Sequence, residues 1–538
     1  MVIWVVSREY ACLAEAGGVK NVACSLSENL VRLGNKVMLF IPFYGCTDVS
    51  RVSDYTAGVI PPVEVNVMDS KETVSFSSGI LDGVEIIFVC HHSFAEKLGV
   101  YTYTERDEKE NPAHKRGSGH EDALFLNTLF QKAVVAFGNV CSHEQIPDII
   151  HCQDATTAMV PVFVMERSNE DMAGRIVFAR SKCVVTIHNA GPGYHHDFSS
   201  VEEAHHYTNL PKNLLEKGLN GTHVEPFLLS ALNARITTVS PQYAQEILSG
   251  STETAGLSEC FKARHIEIEG ITNGIEFSKY DPSDTKKSLL PYEFNPVKKD
   301  LVGKYKCRHF LLEEFATMPE EDGSKVHKDV PVIEQCGHIE TGSASDPCEP
   351  VFIVYHGRIV RQKGIDILAA SASKLLGDGE LVRFIFIGQG EPELENELEV
   401  LSKEFPGKCI FLRGYERALA RLCTAAADFI VLPSQFEPCG LEDFIAQLYG
   451  TIPVAHATGG LCKIVDEQTG YLYHPNTPEE LSSIIHSLVQ LKQADGDLFN
   501  NMIAHTAQYV KNTYSWRIVA KEKYMKLYHS LLAEKKKK

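Results

Sequence analysis

Short apolar runs alternate along the chain with amphipathic stretches, and this alternation restricts the fold more than any other property. Val2–Val6 is followed by a glycine pair, a helical pattern over Val19–Leu33 and a second apolar run, Val37–Ile41. Further runs of the same kind are Glu85–Cys90, Asp148–Cys152, Cys183–Ile187 and Arg235–Val239. Because each run is apolar almost throughout, the pattern predicts parallel strands that are covered on both faces.

The second half repeats this pattern more regularly, with five strand–helix units in about 110 residues. The predicted strands are Val351–Tyr355, Arg383–Ile387, Cys409–Leu412, Phe429–Leu432 and Ile452–Ala455. We therefore predict an α/β protein with two doubly wound, Rossmann-like domains, 1–270 and 271–514, joined near Glu269–Gly274. In such folds the ligand lies beyond the carboxyl ends of the strands, so we expect it in a cleft between the two domains.

Two segments interrupt the alternation and are predicted to be surface insertions. Tyr103–His120 is polar and charged, and Met318–Pro350 is rich in Glu, Asp, Gly, Ser and Pro. The second of them, the insertion at 318–350, has little periodicity and a composition typical of disordered segments.

Charge and cysteine usage exclude several classes of protein. The chain carries 52 Lys and Arg against 70 Asp and Glu, a net charge of −18, which argues against nucleic acid and anionic membrane as partners. The 15 cysteines include no C-x-x-C pair, which favours reduced thiols in the cytoplasm over disulfides or a zinc site. The first strand–helix turn lacks the G-x-G-x-x-G of an NAD-binding oxidoreductase.

Three loops that follow predicted strands carry groups suited to an anion. Gly17 and Gly18 lie at a strand-to-helix junction, where glycine lets backbone N–H groups approach a phosphate, although the same pair also suits a plain tight turn. The loop HGRIVRQKG contains Arg358 and Lys363, which either bind an anion or form a solvated basic loop. The stretch TGGL, with Thr458, Gly459 and Gly460, repeats the glycine pair; together these loops suggest a diphosphate.

Other polar residues at strand ends suit a sugar. Glu437 lies in the turn of PSQFEPCGLEDF, before Cys439 and Gly440, where its carboxylate either accepts bonds from sugar hydroxyls or caps a helix. In the first half, HCQDA and TIHNAG place Asp154, His188 and Asn189 on the rim of the predicted cleft. A histidine in such a position is more often a structural hydrogen bonder. The pairs that begin at His91, His195 and His205 have no further ligand at a useful spacing, so no metal site is predicted.

Taken together, these motifs resemble the bacterial glycogen synthase and plant starch synthase family, glucosyltransferases of the two-domain GT-B fold. The most specific match is Pro433–Leu461, which is similar to the family pattern P-S-R-F-E-P-C-G-L, Y-G-T-x-P and T-G-G-L. The motifs TIHN, TTVSPQYAQEI, ITNGIEFSKYDP, GRIVRQKGID and IGQGEPELE also match. The closing YSW resembles the family's end, which implies that 515–538 forms a helix that crosses back to the first domain.

The resemblance implies an acceptor-side domain at 1–270 and a nucleotide-sugar domain at 271–514. It implies that ADP-glucose donates glucose, with retained configuration, to the non-reducing end of an α-1,4-glucan such as glycogen, without metal or cofactor. Residue by residue, it implies that Arg358 and Lys363 bind the diphosphate, that Glu437 engages the donor glucose, and that Asp154, His188 and Asn273 line the glucosyl site. It also implies that Gly18, Gly459 and Gly460 hold phosphates and that Tyr415 stacks on the adenine.

The sequence departs from the family at several of these positions. The first loop of the family reads K-T-G-G-L-x-D-V, but Glu15 stands at the lysine and Asn21 at the aspartate. Gln435 replaces the arginine of P-S-R-F, and the pattern D-N-x-x-R-F is lost around Asp122. An acid beside a pyrophosphate is repulsive. A synthase that uses UDP-glucose or another sugar nucleotide, and a catalytically weak glucan-binding or regulatory protein, therefore stay open as alternatives.

Overall fold

The computed structural model describes residues 1–170, 176–318, 324–327, 330–340 and 349–534. The chain forms two compact units. Unit 1 contains Met1–Gly274 together with the C-terminal segment that starts at Trp516. Unit 2 contains Ile275–Ser515.

Unit 1 is built on a sheet of ten strands. The strands of this unit, including the separate hairpin β9–β10, are β1 (Val2–Val6), β2 (Lys36–Pro42), β3 (Ser53–Ala57), β4 (Val63–Val67), β5 (Ser70–Leu81), β6 (Val84–Cys90), β7 (Ile149–Gln153), β8 (Lys182–Ile187), β9 (Leu219–Asn220), β10 (His223–Val224), β11 (Ala234–Thr238) and β12 (Ile268–Gly270). Their order in the sheet is β12-β11-β8-β7-β1-β2-β6-β5-β3, with β4 also paired to β5. The seven strands from β12 to β6 are parallel, and β5 runs antiparallel to β6.

Helices cover this sheet. They are Val19–Arg32, His92–Ala95, Glu105–Glu110, Ala123–Ala136, Val160–Glu170, Val201–Thr208, Lys212–Leu215, Pro226–Ser230, Pro241–Ser249, Leu257–Ala263, Trp516–Val519 and Met525–Ala533, the last two joined by a π-helical turn at Ala520–Tyr524. The C-terminal segment packs on the sheet, where the Tyr528 hydroxyl lies 2.8 Å from Nδ1 of the buried His151. In β1, every side chain from Ile3 to Val6 is fully buried, as expected for a strand covered on both faces.

Unit 2 is built on a sheet of eight strands. Its strands are β13 (Ser324–His327), β14 (Val330–Ile339), β15 (Val351–His356), β16 (Val382–Gly388), β17 (Lys408–Arg413), β18 (Phe429–Leu432), β19 (Ile452–His456) and β20 (Tyr471–Tyr473), in the order β13-β14-β17-β16-β15-β18-β19-β20. Its helices are Thr285–Ser288, Val302–Phe315, Ile365–Gly377, Pro392–Glu404, Arg417–Ala426, Glu442–Leu448, Pro478–Ala494 and Gly496–Tyr514. The six strands β15–β20 are parallel, and their order is that of a Rossmann fold.

Alternate residues of β15 belong to different core clusters, which shows that helices cover both faces of this sheet. Phe352 and Val354 pack in one cluster, and Ile353 and Tyr355 pack in the other. The prediction of two doubly wound, Rossmann-like sheets is therefore confirmed.

The structure differs from the sequence prediction at the edges of both sheets. The antiparallel strands β3, β4 and β5 extend the first sheet, but they lack the continuous apolar run that predicts a buried strand, because β3 is exposed throughout and β4 and β5 are only partly buried. The insertion at 318–350 was expected to be an unstructured surface segment, but part of it forms β14, which pairs with β17 and buries Ile333, Cys336 and Ile339. Residues 319–323, 328–329 and 341–348 of this insertion lie outside the described residues. Tyr103–His120 contains the short helix Glu105–Glu110, with Thr104 as its N-cap.

Candidate active site

The carboxyl ends of β15 and β18 form the switch point of the second sheet. The two strands are neighbours, with Val354 opposite Ile430, but the chain leaves them towards opposite edges of the sheet. The loops that follow them therefore diverge and leave a crevice where ligands of such folds bind. These loops carry Arg358 and Lys363 on one side and Glu437 on the other.

The structure brings Lys363 and Glu437 together in this crevice. Nζ of Lys363 donates to Oε2 of Glu437, and the Ser434 hydroxyl donates to the same oxygen at 3.2 Å. Both charged side chains remain partly accessible, at 23% for Lys363 and 17% for Glu437. The loops are also joined through the backbone, since the Gln435 N–H donates to the Gln362 carbonyl at 2.9 Å. A close approach of the backbones makes glycine necessary at Gly364, where a Cβ atom would lie 2.0 Å from the Pro433 carbonyl oxygen.

Arg358 is the second cation at this edge. Its carbonyl accepts a bond from the Tyr355 hydroxyl at 2.7 Å, which anchors the start of the loop, while its side chain is exposed. Among the described residues, Arg358 has no ion-pair partner. Its guanidinium is therefore available to an anionic ligand, whereas the ammonium of Lys363 is shared with Glu437.

A buried lysine that the sequence analysis missed connects the Glu437 loop to the TGGL turn. Nζ of Lys463 donates to the carbonyls of Cys439 (2.6 Å) and Gly440 (3.0 Å) and lies 3.0 Å from Asp443. The Gly460 N–H donates to the Glu437 carbonyl at 2.7 Å, so this amide stabilises the turn from within. A lysine three residues after a glycine pair looks like a solvated residue in the sequence, and its role is visible only in the packed structure.

Glu442 adds an acid that the sequence analysis did not single out. Its Oε2 lies 3.0 Å from Nε2 of His356, at the end of β15. Burial opposes ionisation of Glu442, but the charges of His356 and Lys363 favour it, and the net result is a lowered pKa. Tyr415 lies on an exposed loop after β17, with 57% of its surface accessible, so its ring is free to stack on a planar ligand.

The first sheet has its own switch point, between β1 and β7. The loop after β1 contains the buried Glu9, whose Oε2 accepts the N–H groups of Ala16 (3.0 Å) and Gly17 (2.5 Å). Burial raises the pKa of Glu9, although these backbone bonds oppose the shift. The Gly17 amide is therefore occupied by the protein itself, and a phosphate contact of Gly18 stays a prediction.

Asp154 and His188 meet at the carboxyl ends of β7 and β8. Oδ1 of Asp154 accepts the His188 N–H at 3.3 Å, and Nε2 of His188 lies 2.8 Å from Oε1 of Gln153. Burial raises the pKa of Asp154 to about 7 and lowers the pKa of His188 to about 4. His188 is therefore neutral near pH 7, and Asp154 changes its charge in that range. Asp154 also has an unusual backbone φ of 68°, which a non-glycine residue adopts at a cost.

Asn189 and Asn273 differ in their hydrogen bonding. Oδ1 of Asn189 accepts the Gly191 N–H at 2.8 Å and so shapes the loop after β8. Asn273 is 4% exposed, and its Oδ1 has no hydrogen-bond partner within the part of the chain that the structure describes. A buried amide oxygen without a partner is unfavourable, which makes Asn273 a candidate for a ligand contact.

The histidine pairs acquire acidic partners in the fold that are far away in the sequence. His91 lies 3.2 Å from Glu72, and His195 lies 2.5 Å from Glu225. Across the described ranges, no group of three or more His, Cys, Asp or Glu side chains is arranged to hold a metal ion.

The raised pKa of Asp154 leads to a stability prediction for Asp154→Asn. The folded state binds a proton that the unfolded chain, with an ordinary pKa of 3.8, releases, so Asp154 destabilises the fold increasingly as pH rises from about 4 to about 7. We expect the substitution to stabilise the fold by about 3 kcal/mol more at pH 8 than at pH 5. Thermal melts of both proteins at the two pH values measure this difference, and an equal shift in Tm at both would contradict the assignment.

Comparison with known proteins identifies the family. Residues 2–263 match the model described as "Starch synthase catalytic domain", and residues 343–508 match "Glycosyl transferases group 1". A glycogen synthase of Thermodesulfovibrio yellowstonii is 29% identical over 564 aligned positions, which span 100% of this chain and 99% of the relative. A glycogen synthase of Streptococcus pneumoniae is 27% identical, over 99% of this chain and 100% of the relative. The chain belongs to the glycogen synthase and starch synthase family of glycosyltransferases.

A solved structure supports the fold of this family member. The catalytic domain of starch synthase IV from Arabidopsis thaliana, solved with ADP and acarbose, superposes with a TM-score of 0.75 at 23% identity and covers 99% of both chains. At this identity the likeness establishes the GT-B fold alone.

The positions that depart from the family pattern have local partners. Glu15 accepts the Cys12 N–H at 2.7 Å and forms an ion pair of 2.8 Å with Lys20. Asp122 pairs with Lys97 at 2.9 Å. The unfavourable charge of Glu15 is thus compensated by a lysine five residues further on, at the variable position of the family pattern.

None of the described helices combines the length and apolar character needed to cross a membrane. The cysteines within the described residues form no disulfide with one another.

Proposed function

We propose that this protein is a glycogen synthase, which transfers glucose from ADP-glucose to the non-reducing end of an α-1,4-glucan with retention of configuration. The observation that carries the proposal is the pairing of Lys363 with Glu437 at the switch point of the second sheet. This pairing occurs in a chain that glycogen synthases match over its whole length. In this proposal 1–270 is the acceptor-side domain, 271–514 is the nucleotide-sugar domain, 515–538 crosses back to the first domain, and the enzyme acts in the cytoplasm.

The diphosphate is the leaving group, and its charge determines which residues at the edge of the second sheet act on it. When the glycosidic bond breaks, negative charge develops on the phosphate oxygens. The guanidinium of Arg358 is accessible and can donate two hydrogen bonds to the phosphate oxygens, and the ammonium of Lys363 supplies a single positive charge. Each such preorganised donor stabilises the transition state by about 3 kcal/mol. Because the ammonium of Lys363 pairs with Glu437, its contact with the diphosphate requires this pair to rearrange.

The glucosyl group develops oxocarbenium character as the bond breaks. Glu437 then engages the sugar hydroxyls, while Asp154, His188 and Asn273 line the glucosyl site. We propose front-face displacement within an ion pair, since no side chain is assigned as a covalent nucleophile. Mass spectrometry that detects a glucosyl adduct on Asp154 or Glu437 during turnover would overturn this mechanism.

A further set of residues contacts the nucleotide in this proposal. Tyr415 stacks on the base, and Gly18, Thr458, Gly459 and Gly460 lie beside the phosphates. The presence of ADP in the starch synthase IV structure supports an adenine nucleotide.

Incorporation of labelled glucose into glycogen tests the proposed function. We expect radiolabelled ADP-glucose to yield labelled glycogen, and UDP-glucose at the same concentration to yield less. Faster incorporation from UDP-glucose would reassign the donor but keep the reaction. Glycogen binding without nucleotide release from either donor would instead favour a glucan-binding or regulatory protein, the alternative suggested by Glu15 in the first loop.

A further inference from the structure

We propose that Lys20 is the cation with which unit 1 binds the donor diphosphate, and that Glu15 regulates this contact by competing for the same ammonium group. The inference rests on the proposed function and specifies a residue of the donor site that the family motifs do not assign.

Lys20 occupies the place in the first sheet where an anion is expected. It is the second residue of the helix Val19–Arg32, directly after the glycine pair, in the connection that leaves β1 at the switch point. A side chain at Gly18 would meet nothing within 4 Å, so the surface in front of this turn is open. A ligand can therefore approach the turn and the ammonium together.

Neighbouring groups that could also neutralise a phosphate are already engaged. The N–H groups of Ala16 and Gly17 donate to Glu9. Arg8 is buried and donates to the Tyr44 hydroxyl, to Asn127 and to the Val100 carbonyl. The guanidinium of Arg51 contacts Sγ of Cys12 at 2.8 Å and Asp82 at 3.1 Å. Because these groups already have partners, Lys20 is the side chain best placed to supply positive charge at the turn.

The ion pair of Lys20 and Glu15 is of a kind that a diphosphate can displace. The Nζ–Oε2 distance is 2.8 Å, and the side chains are 21% and 43% exposed. Pairs this accessible contribute little to stability because water and salt screen them. A diphosphate carries more negative charge than one carboxylate, so it competes effectively for the ammonium.

The sequence places a positive charge after the glycine pair of this turn and a negative charge before it. In the family pattern K-T-G-G-L-x-D-V a lysine precedes the glycine pair, whereas here an acid precedes the pair and Lys20 follows it. The structure joins Glu15, which departs from the pattern, and Lys20, which stands at its variable position, in one ion pair.

Calorimetric titration of the full chain with ADP, and separately with UDP, tests the inference. We expect Lys20→Gln to raise the Kd of the tighter nucleotide about tenfold, the usual effect of losing one charge-assisted contact. Glu15→Gln keeps an oxygen for the Cys12 N–H but removes the competing charge, so we expect it to lower the Kd severalfold. Lys71→Gln is the matched control, because Lys71 also pairs with a glutamate, Glu64, but on the β4–β5 hairpin.

The two substitutions are expected to change the Kd in opposite directions, which distinguishes ligand binding from a structural role. If the pair merely orders the loop, Lys20→Gln and Glu15→Gln weaken nucleotide binding alike, and the inference is overturned. A wild-type enzyme that transfers glucose while Lys20→Gln behaves like Lys71→Gln overturns the inference but leaves the proposed function intact. Wild-type protein that binds neither nucleotide and transfers no glucose overturns both.

Discussion

Lys363→Ala is expected to lower kcat/KM about 1000-fold, the largest single effect that we predict. The substitution removes one of the two cations of unit 2 that we propose to bind the leaving diphosphate, and loss of such a contact in a preorganised site costs about 3–4 kcal/mol of transition-state stabilisation. It also leaves the carboxylate of Glu437 beside the anion without its partner, which adds repulsion. Steady-state incorporation of glucose into glycogen measures this effect.

Lys374→Ala is the matched control for this substitution. Lys374 lies on the exposed side of Ile365–Gly377, the helix that directly follows the Lys363 loop. We expect unchanged kinetics for this control and folded circular dichroism spectra for both variants. If the Lys363 variant is folded and as active as the control, Lys363 does not bind the leaving group.

Glu437→Gln is expected to lower kcat about 100-fold, and its effect should not add to that of Lys363→Ala. The amide can still accept the Ser434 hydroxyl but no longer carries the charge that orients Lys363 or supports the sugar cation. Because the two side chains form one ion pair, removal of either already disrupts the other, so the double variant should lose less than the product of the single losses.

A double-mutant cycle from the four kcat/KM values measures this coupling. Gln435→Ala serves as the control in the same loop, because Gln435 contacts the Lys363 loop through its backbone, and that bond survives the substitution. If the loss of kcat/KM in the double variant equals the product of the losses for Lys363→Ala and Glu437→Gln, the two residues act independently and the ion pair has no role in turnover.

The helices and strands of the parallel cores were predictable because their signals are local. A strand buried on both faces must be apolar throughout, and Val2–Val6 and Phe429–Leu432 have the predicted bounds in the structure. The antiparallel edges were not predictable in this way. Strand β14 lies in a segment with a polar composition and becomes a strand because it pairs with β17 and buries three of its side chains.

The residues of the candidate site were likewise predictable only where their signal is local. The glycine pairs, Arg358, Lys363 and Glu437 could be recognised because each follows a predicted strand, and parallel strands end at one edge of a sheet. The partners of these residues could not be recognised. Glu9 bonds to the glycine turn, Lys463 supports the Cys439 turn, and Glu442 approaches His356, although nothing in the local patterns indicates these contacts.

The amino-acid sequence alone determined the order of strands and helices in the two parallel cores, the strand ends at which polar residues collect and the family that these motifs resemble. The tertiary structure decided which distant charges meet, as for Lys363 and Glu437, which are 74 positions apart. The physical reason is that apolar periodicity and turn chemistry act over a few residues, whereas an ion pair depends on the path of the chain between its partners. Folding alone brings such partners within hydrogen-bond distance and sets the burial that shifts the pKa of groups such as Asp154.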